Sequence, residues 1–520
     1  MIHSFRRRLS DPLFLLALAA GLIAFVVQSG ELGTADTQHR LQSAHSWWTG
    51  EPPVLPDEYP EFGVHGRGGK LQSWYGIGQS LLMFPSDVAG TFLERLPVFA
   101  NYGTDPTVRD IFVSYTVNIL VSVLTALVCF RFLRQLSFSV KQAVAGVLAL
   151  MLLTTHLHYT QNMMENNYIF LLTLTGLSFQ YEWLRTGSRK ALLIGSGAFG
   201  LNLLTRITTG IDLASGGLFL LLAVWFEGGR GRELWERCRS YIAIAAPVYL
   251  LFGLLDRLYQ YYRFGSFFNT YTSVVAMETK LRDPSLPASY PWETPFHTGF
   301  FGALFSAEKS VFLFDPLLVL MVLLCVVGWR RFSPAVKAYV GMGFFLLLAY
   351  ISFYARYTVW SGDFAWGDRY VSTSVEFAAL LAVPLLLRHR VVLGKTVWIT
   401  GVVICVISAV VQVASLMFWL PLEIYQMETL GHPTFVIVQR MKNIVGFATG
   451  TMMDNFAMHW DPWDYVHITT WNFLPFLLKR VGVAPRWVVH IAMMLWVAGL
   501  GLLIATLSQL RRVVAAERSA

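Results

Sequence analysis

The chain has 520 residues, of which 55% are hydrophobic, 15% aromatic and only 14% charged. A soluble domain carries about 25% charged residues, so this composition excludes a soluble globular protein and specifies one that crosses a membrane repeatedly. The formal net charge of +8 is not a nucleic-acid signal, because most of the basic residues sit in short loops between apolar runs.

A run of about 20 apolar residues crosses the hydrocarbon core. Such runs fall near 12–29, 111–133, 140–158, 166–184, 191–208, 211–227, 240–258, 311–329, 336–354, 372–387, 396–418 and 487–510. They predict an all-α polytopic chain with about 12 transmembrane helices. One set of loops is plainly basic: Arg6-Arg7-Arg8, Arg131/Arg134/Lys141, Arg185/Arg189/Lys190, Arg230/Arg232/Arg237/Arg239, Arg330/Arg331/Lys337, Arg388/Arg390/Lys395 and Arg511/Arg512. By the positive-inside rule these loops and both termini are cytoplasmic. A cleaved signal peptide is the alternative for the first run. The outward segments are then 30–110, 159–165, 259–310, 355–371 and 419–486. No internal repeat is visible, which argues against an inverted-repeat transporter. The four cysteines lie in apolar runs or a cytoplasmic loop, so neither a disulfide nor a thiolate metal site is expected.

The first outward segment opens with Glu31-Leu-Gly-Thr-Ala-Asp36-Thr-Gln-His39-Arg40. A carboxylate here stands at the bilayer surface, within reach of both lipid-linked and soluble groups. Asp36 is a candidate general base; the competing role is a helix N-cap. Gly66-Arg67-Gly-Gly-Lys70 follows a proline-rich turn. Its glycines and two cations suit an anion, and they suit a flexible surface loop equally. The apolar run 74–84 is too short to span and is expected to lie at the interface or re-enter.

The corner from His156 to Asn167 carries His156, His158 and Glu165. Residues two apart do not share a helix face, so a helical metal pair is not expected there; a polar cap is the alternative. In Thr205-Arg206-Ile-Thr-Thr-Gly210-Ile-Asp212 an arginine at membrane depth must be paired or face a cavity. Asp212 is its candidate partner, and an anion site is the other reading. Three further motifs stand at outward ends of apolar runs: Tyr262-Arg263-Phe264-Gly265-Ser266, Ser306-Ala-Glu308-Lys309-Ser310 through Asp315-Pro316, and Arg356 to Tyr370. The last holds Trp360, Asp363, Trp366, Asp368 and Arg369. An interfacial aromatic belt accounts for its tryptophans but not for its two arginines and two aspartates.

These segments, in this order, resemble the GT-C membrane glycosyltransferases, nearest to bacterial relatives of the protein O-mannosyltransferases. Arg-Phe-Gly-Ser at 263–266, Ser-Ala-Glu-Lys-Ser with Asp-Pro at 306–316, and Trp-Gly-Asp-Arg-Tyr at 366–370 carry the likeness, which runs from about residue 12 to 388. The Asp-Pro pair and the extra Asp363 depart from the family pattern. The resemblance implies a GT-C fold with interfacial helices in the first outward loop. It implies an inverting transfer of a sugar from a polyprenyl-phosphate carrier to an acceptor hydroxyl at the extracytoplasmic face of the plasma (inner) membrane. Asp36 matches the family's base, and Glu165 matches an acidic position that orients acceptor or sugar. Arg369, Lys309 and Arg206, then Arg67 and Lys70, are the candidates for the donor phosphate. His39, Trp360, Asp363, Trp366 and Asp368 are the candidates for substrate contact. A divalent cation is compatible with this set but not required by it, and no metal ligands are assigned.

Residues 1–418 read as the transmembrane catalytic module. Residues 419–520 read as an outward segment plus the last helix, the expected seat of acceptor specificity, with His432, Arg440, Lys442, Asp454, His459, Asp461, Trp463, Asp464 and His467. The implied partners are a polyprenyl-phosphate-linked sugar, a glycan, lipid or protein acceptor and membrane lipid, with no nucleic acid. A secondary transporter and a non-catalytic envelope scaffold are the competing readings.

Overall fold

A computed structural model describes residues 11–55, 63–103, 106–269, 271–362, 365–419, 422–423, 426, 435–451, 470–481 and 484–516. Its helices are α1 (Pro12–Val27), α2 (Ala35–Thr49), α3 (Ile77–Glu94), α4 (Val108–Gln135), α5 (Val140–Leu153), α6 (His156–Gln161), α7 (Asn166–Thr186), α8 (Arg189–Thr205), α9 (Gly210–Phe226), α10 (Arg232–Phe264) and α11 (Tyr271–Arg282). They continue with α12 (Phe296–Phe305), α13 (Val311–Phe314), α14 (Leu317–Gly328), α15 (Pro334–Tyr354), α16 (Ser372–Ala379), α17 (Ala382–Arg388), α18 (Arg390–Ser415), α19 (Val436–Thr449), α20 (Leu474–Val481) and α21 (Arg486–Ala516). Between α2 and α3 a short antiparallel hairpin pairs β1 (Gly63–His65) with β2 (Leu71–Ser73). The protein is an all-α, multi-pass membrane protein.

All twelve expected runs coincide with helix. Among the described residues six helices are long and apolar enough to cross a membrane, including Val108–Gln135, Leu234–Phe264 and Arg486–Ala516. Several of the others are shorter than expected because they break. The 140–158 run is interrupted at Thr154, the 311–329 run at Asp315-Pro316, and the 372–387 run between Ala379 and Ala382. Backbone groups freed inside an apolar bundle need partners, and two of these breaks supply one another. Asp315 accepts hydrogen bonds from the Thr155 amide at 2.7 Å and the Thr155 hydroxyl at 3.0 Å, capping α6. Glu376 of α16 lies 3.1 Å from His156 Nδ1. The packed interior runs through α4, α7, α8, α9, α15 and α16, with Phe132, Phe199, Phe219 and Tyr339 fully buried. Phe170 and Phe377 stack at 4.3 Å.

The apolar run 74–84 is the start of α3, an 18-residue amphipathic helix. One buried carboxylate staples it down. Asp87 accepts from Trp48 Nε1 at 2.8 Å and Arg109 Nε at 2.6 Å, and it faces His45 Nδ1 at 3.0 Å. That carboxylate therefore ties α3 to α2 and α4. The described basic loops meet at one end of the helices, where Arg388 donates to the Ser137 carbonyl, Arg331 donates to the Val392 carbonyl and Arg185 pairs with Glu227. The ends of α1, α8, α10 and α15, with the start of α7, lie at the other.

Of the charged residues expected to matter in 419–486, only Arg440 and Lys442 are among the described residues; His432, Asp454, His459, Asp461, Trp463, Asp464 and His467 lie outside them. Arg440 of α19 is fully buried and forms a two-pronged ion pair with Glu423, both bonds at 2.6 Å. It also donates to the carbonyls of Ser415 and Phe418 at 3.2 Å, where α18 ends. Asn443 donates to Glu423 at 2.8 Å. This clamp fastens α19 across the end of α18. Breaking a buried pair strands the remaining charge at a cost of about 3–5 kcal/mol. Arg440→Ala is therefore expected to lower the thermal unfolding midpoint of the detergent-purified protein markedly, and an unchanged midpoint would contradict the clamp.

Candidate functional site

The bundle end away from the basic loops holds a cavity of about 1110 Å³, lined by side chains that sequence separates widely. Asp36, Glu165, Arg206 and Arg369 all open on it. The chain leaves α1, passes Gly33 at φ +85°, and starts α2. A side chain at Gly33 would lie 2.8 Å from the Asn162 Cα, so only glycine lets this turn press against the α6–α7 corner. That contact brings Asp36 beside the segment carrying Glu165. The N-cap of α2 is Thr34, and Asp36 lies within the first turn. The cap reading of Asp36 is thereby corrected: its carboxylate faces outward to other partners. It accepts from the Tyr75 hydroxyl at 2.5 Å and pairs with Arg369 at 2.9 Å.

Glu165 stands at the N-terminus of α7, 2% exposed, and is shared by two guanidiniums. Arg40 reaches it at 2.8 Å, and Arg206 binds its other oxygen. Burial alone would raise this carboxyl, but Arg206 and then Arg40 outweigh it and hold the group down at about 2. The expected Arg206–Asp212 pair is corrected. Asp212 accepts instead from Thr173 at 2.9 Å and from the Tyr350 hydroxyl, because α9 turns it into the bundle while the extended Arg206 turns toward the cavity. Asn166 ties the two halves of the cluster together, donating to the Arg369 carbonyl and to Ser372 Oγ, each at 2.8 Å.

Three arginines thus meet two carboxylates, leaving one positive charge in excess. Arg40 and Tyr75 were not selected from the sequence. Arg40 lies four residues after Asp36, one helical turn on the same face, so that spacing was a usable signal. Its guanidinium also stacks 4.1 Å from the Tyr75 ring centre. Tyr75 carried no signal beyond its place in the apolar run 74–84. Burial, and then the charge of Asp36, push its phenol well up, so it stays protonated and donates. An aromatic wall completes the cavity, with Trp292, Tyr354, Tyr357, Tyr370 and Trp419. Tyr354 and Tyr370 stack at 4.5 Å. A further ion pair, Asp256 with Arg257, lines it too, as does Lys280.

The other expected site residues that are described lie off the lining. The Lys309 ammonium is buried and donates to the carbonyls of Ala365 at 2.7 Å and Gly367 at 3.2 Å, so it fixes the loop that delivers Arg369. Arg67 and Lys70 are exposed at the tip of the β1–β2 hairpin, with Arg67 over the Tyr261 ring at 5.7 Å. His39 is buried in α2. Trp360 packs its ring on Gly302. Trp366 is buried between Phe314, at 5.0 Å, and the Arg440 guanidinium, at 5.2 Å. Asp363 lies outside the described residues. Among the described residues no three His, Cys, Asp or Glu side chains gather as a metal-ligand set.

No family model matches the chain, and no curated protein matches it. Among solved structures it is similar to ArnT from Cupriavidus metallidurans, in a crystal structure bound to undecaprenyl phosphate. The likeness has a TM-score of 0.43 and 14% identity, over 97% of this chain and 78% of that one.

Asp368 is buried and accepts from the Tyr370 amide at 3.0 Å. Burial pushes its carboxyl up from 3.8 to about 7. The fold therefore holds this proton more tightly than the unfolded chain does. Stability from the group is complete below about 3.8 and is lost as pH rises through about 7. The unfolding midpoint of the natural protein, measured against Asp368→Asn, is expected to fall between about pH 4 and pH 7 and then level off. A difference that stays constant with pH would contradict the buried, protonated carboxyl.

Proposed function

We propose that the protein is an inverting glycosyltransferase that moves a sugar from a polyprenyl-phosphate carrier to an acceptor hydroxyl at the extracytoplasmic membrane face. The observation that carries this reading is the Asp36 carboxylate opening on the same cavity as Arg40, Arg206 and Arg369. A base and a cationic cluster side by side are what displacement of a sugar from a phosphate requires. The likeness of residues 263–266, 306–316 and 366–370 to the GT-C enzymes points the same way.

In this mechanism Asp36 takes the acceptor's proton as the hydroxyl oxygen forms its bond to the anomeric carbon. The carbon–oxygen bond to phosphate breaks with its electron pair, and the phosphate leaves as a lipid-linked anion. Guanidiniums suit that charge because they bind phosphate oxygens through paired N–H donors. Five cations, Arg40, Arg206, Arg257, Lys280 and Arg369, against three carboxylates, Asp36, Glu165 and Asp256, leave the cavity wall with an excess of positive charge, which suits an anionic phosphate ester. An incoming phosphodiester competes with Asp36 for Arg369, which would free the carboxylate for proton transfer once the donor is seated. Tyr75 keeps its own hydrogen bond to Asp36 and preserves the carboxylate's aim. Glu165 holds Arg40 and Arg206 at the spacing the phosphate needs. The aromatic wall offers rings for stacking on a pyranose face.

The test is transfer of radiolabelled sugar from a panel of polyprenyl-phospho-sugars by the purified protein and its Asp36→Asn variant. Loss of a positioned base typically costs about 10²–10⁴-fold in rate. Turnover by the natural protein, reduced by that factor in Asp36→Asn with donor binding retained, is the expected result. Equal turnover in both would remove Asp36 from the mechanism, and no turnover with any donor would overturn the transferase reading.

A further inference from the structure

The Arg263-Phe264-Gly265-Ser266 motif contributes no side chain to the cavity lining, yet Arg263 is only 1% exposed. Burying a guanidinium is costly unless its donors are met, and those donors show what it does. One terminal nitrogen donates to the carbonyls of both Ser73 and Tyr75, the latter at 2.8 Å. The other donates to Gln260 Oε1 at 3.0 Å. The Tyr259 ring lies 4.1 Å from the guanidinium. Arg263 thus grips the main chain on either side of Trp74, at the last turn of α10. The opposite side of that strip is equally fixed. A side chain at Gly76 would lie 2.3 Å from the Thr205 carbonyl, so residues 73–76 are clasped between the end of α10 and the end of α8.

Tyr75 is the residue so held, and its hydroxyl donates to Asp36 at 2.5 Å. We infer that Arg263 is a positioning residue for the proposed base: it fixes the main chain of residues 73–75 so that the Tyr75 hydroxyl holds the Asp36 carboxylate toward the cavity. A lysine cannot replace it, because a single ammonium lacks the planar fork that meets two carbonyls and a side-chain amide together. This inference rests on the transferase reading for its kinetic consequence but not for its geometry.

Two measurements on the full-length, detergent-purified chain test it. The first is a double-mutant cycle in sugar transfer. Arg263→Lys is expected to lower kcat about tenfold with the donor KM unchanged. In a Tyr75→Phe background, where the hydroxyl is already gone, the same change is expected to have little further effect. An equal loss in both backgrounds would show that Arg263 acts elsewhere and would overturn the inference. The second needs no turnover: nitration by tetranitromethane, mapped residue by residue by mass spectrometry. Arg263→Lys is expected to speed nitration of Tyr75 several-fold while leaving Tyr354 and Tyr357 unchanged. Tyr75 nitrated no faster, or all three accelerated alike, would overturn the positioning role. Failure of transfer by the natural protein with selective nitration of Tyr75 would sink the transferase reading and leave the geometry standing.

Discussion

The structure depends on a cluster of three guanidiniums and two carboxylates largely withdrawn from water at the wall of the cavity: Arg369 on Asp36, with Arg40 and Arg206 on Glu165. Removing charges from water costs several kcal/mol each, and mutual attraction repays it only when the geometry is good. The surrounding architecture reads as the means of meeting that cost. Thr37 of α2 donates to the Met163 carbonyl at 2.6 Å, and Asn166 secures the chain at Arg369. Lys309 ties down the approach to the same arginine through Ala365 and Gly367. The charged residues come from segments up to 333 positions apart, so the ends of several helices must be placed independently and accurately.

Helix breaks make that placement possible. An unbroken bundle would carry every chain straight through and leave only loops at its end. Here the runs at 140–158 and 311–329 stop short, and Asp315 caps the α6 turn that leads into the Glu165 corner. The same logic holds at the other edge, where the Arg440–Glu423 pair covers the end of α18. That clamp lies beside Trp366, three residues from Arg369, and holds the turn from which Trp419 lines the cavity. The described residues of α19 are thereby joined to the cavity wall.

Much of this was legible in the sequence, for a physical reason. In a chain so apolar each charge away from the basic loops is conspicuous, so Asp36, Glu165, Arg206 and Arg369 stand out and converge on one cavity. The twelve runs were legible for the same cause. Pairing was not: Arg206 and Asp212 are six residues apart and of opposite sign, yet the extended backbone at Arg206 sends the two in different directions. Tyr75 was hidden because a tyrosine at a membrane boundary ordinarily signals an aromatic belt. Arg67 and Lys70 carried an anion-binding pattern, but a hairpin tip has no wall to exclude water. Trp360 and Trp366 were conspicuous as indoles and turned out to be packing that supports the loop rather than lining that faces the cavity.

We propose that the excess of positive charge on this cavity wall seats the phosphate of a lipid-linked sugar. It is tested most directly by native mass spectrometry of the purified protein with a phosphodiester-linked polyprenyl sugar. The account expects the phosphodiester to bind, and Arg40→Gln, which removes one cation from the cluster, to weaken that binding. No binding of the phosphodiester, or binding untouched by Arg40→Gln, would contradict it.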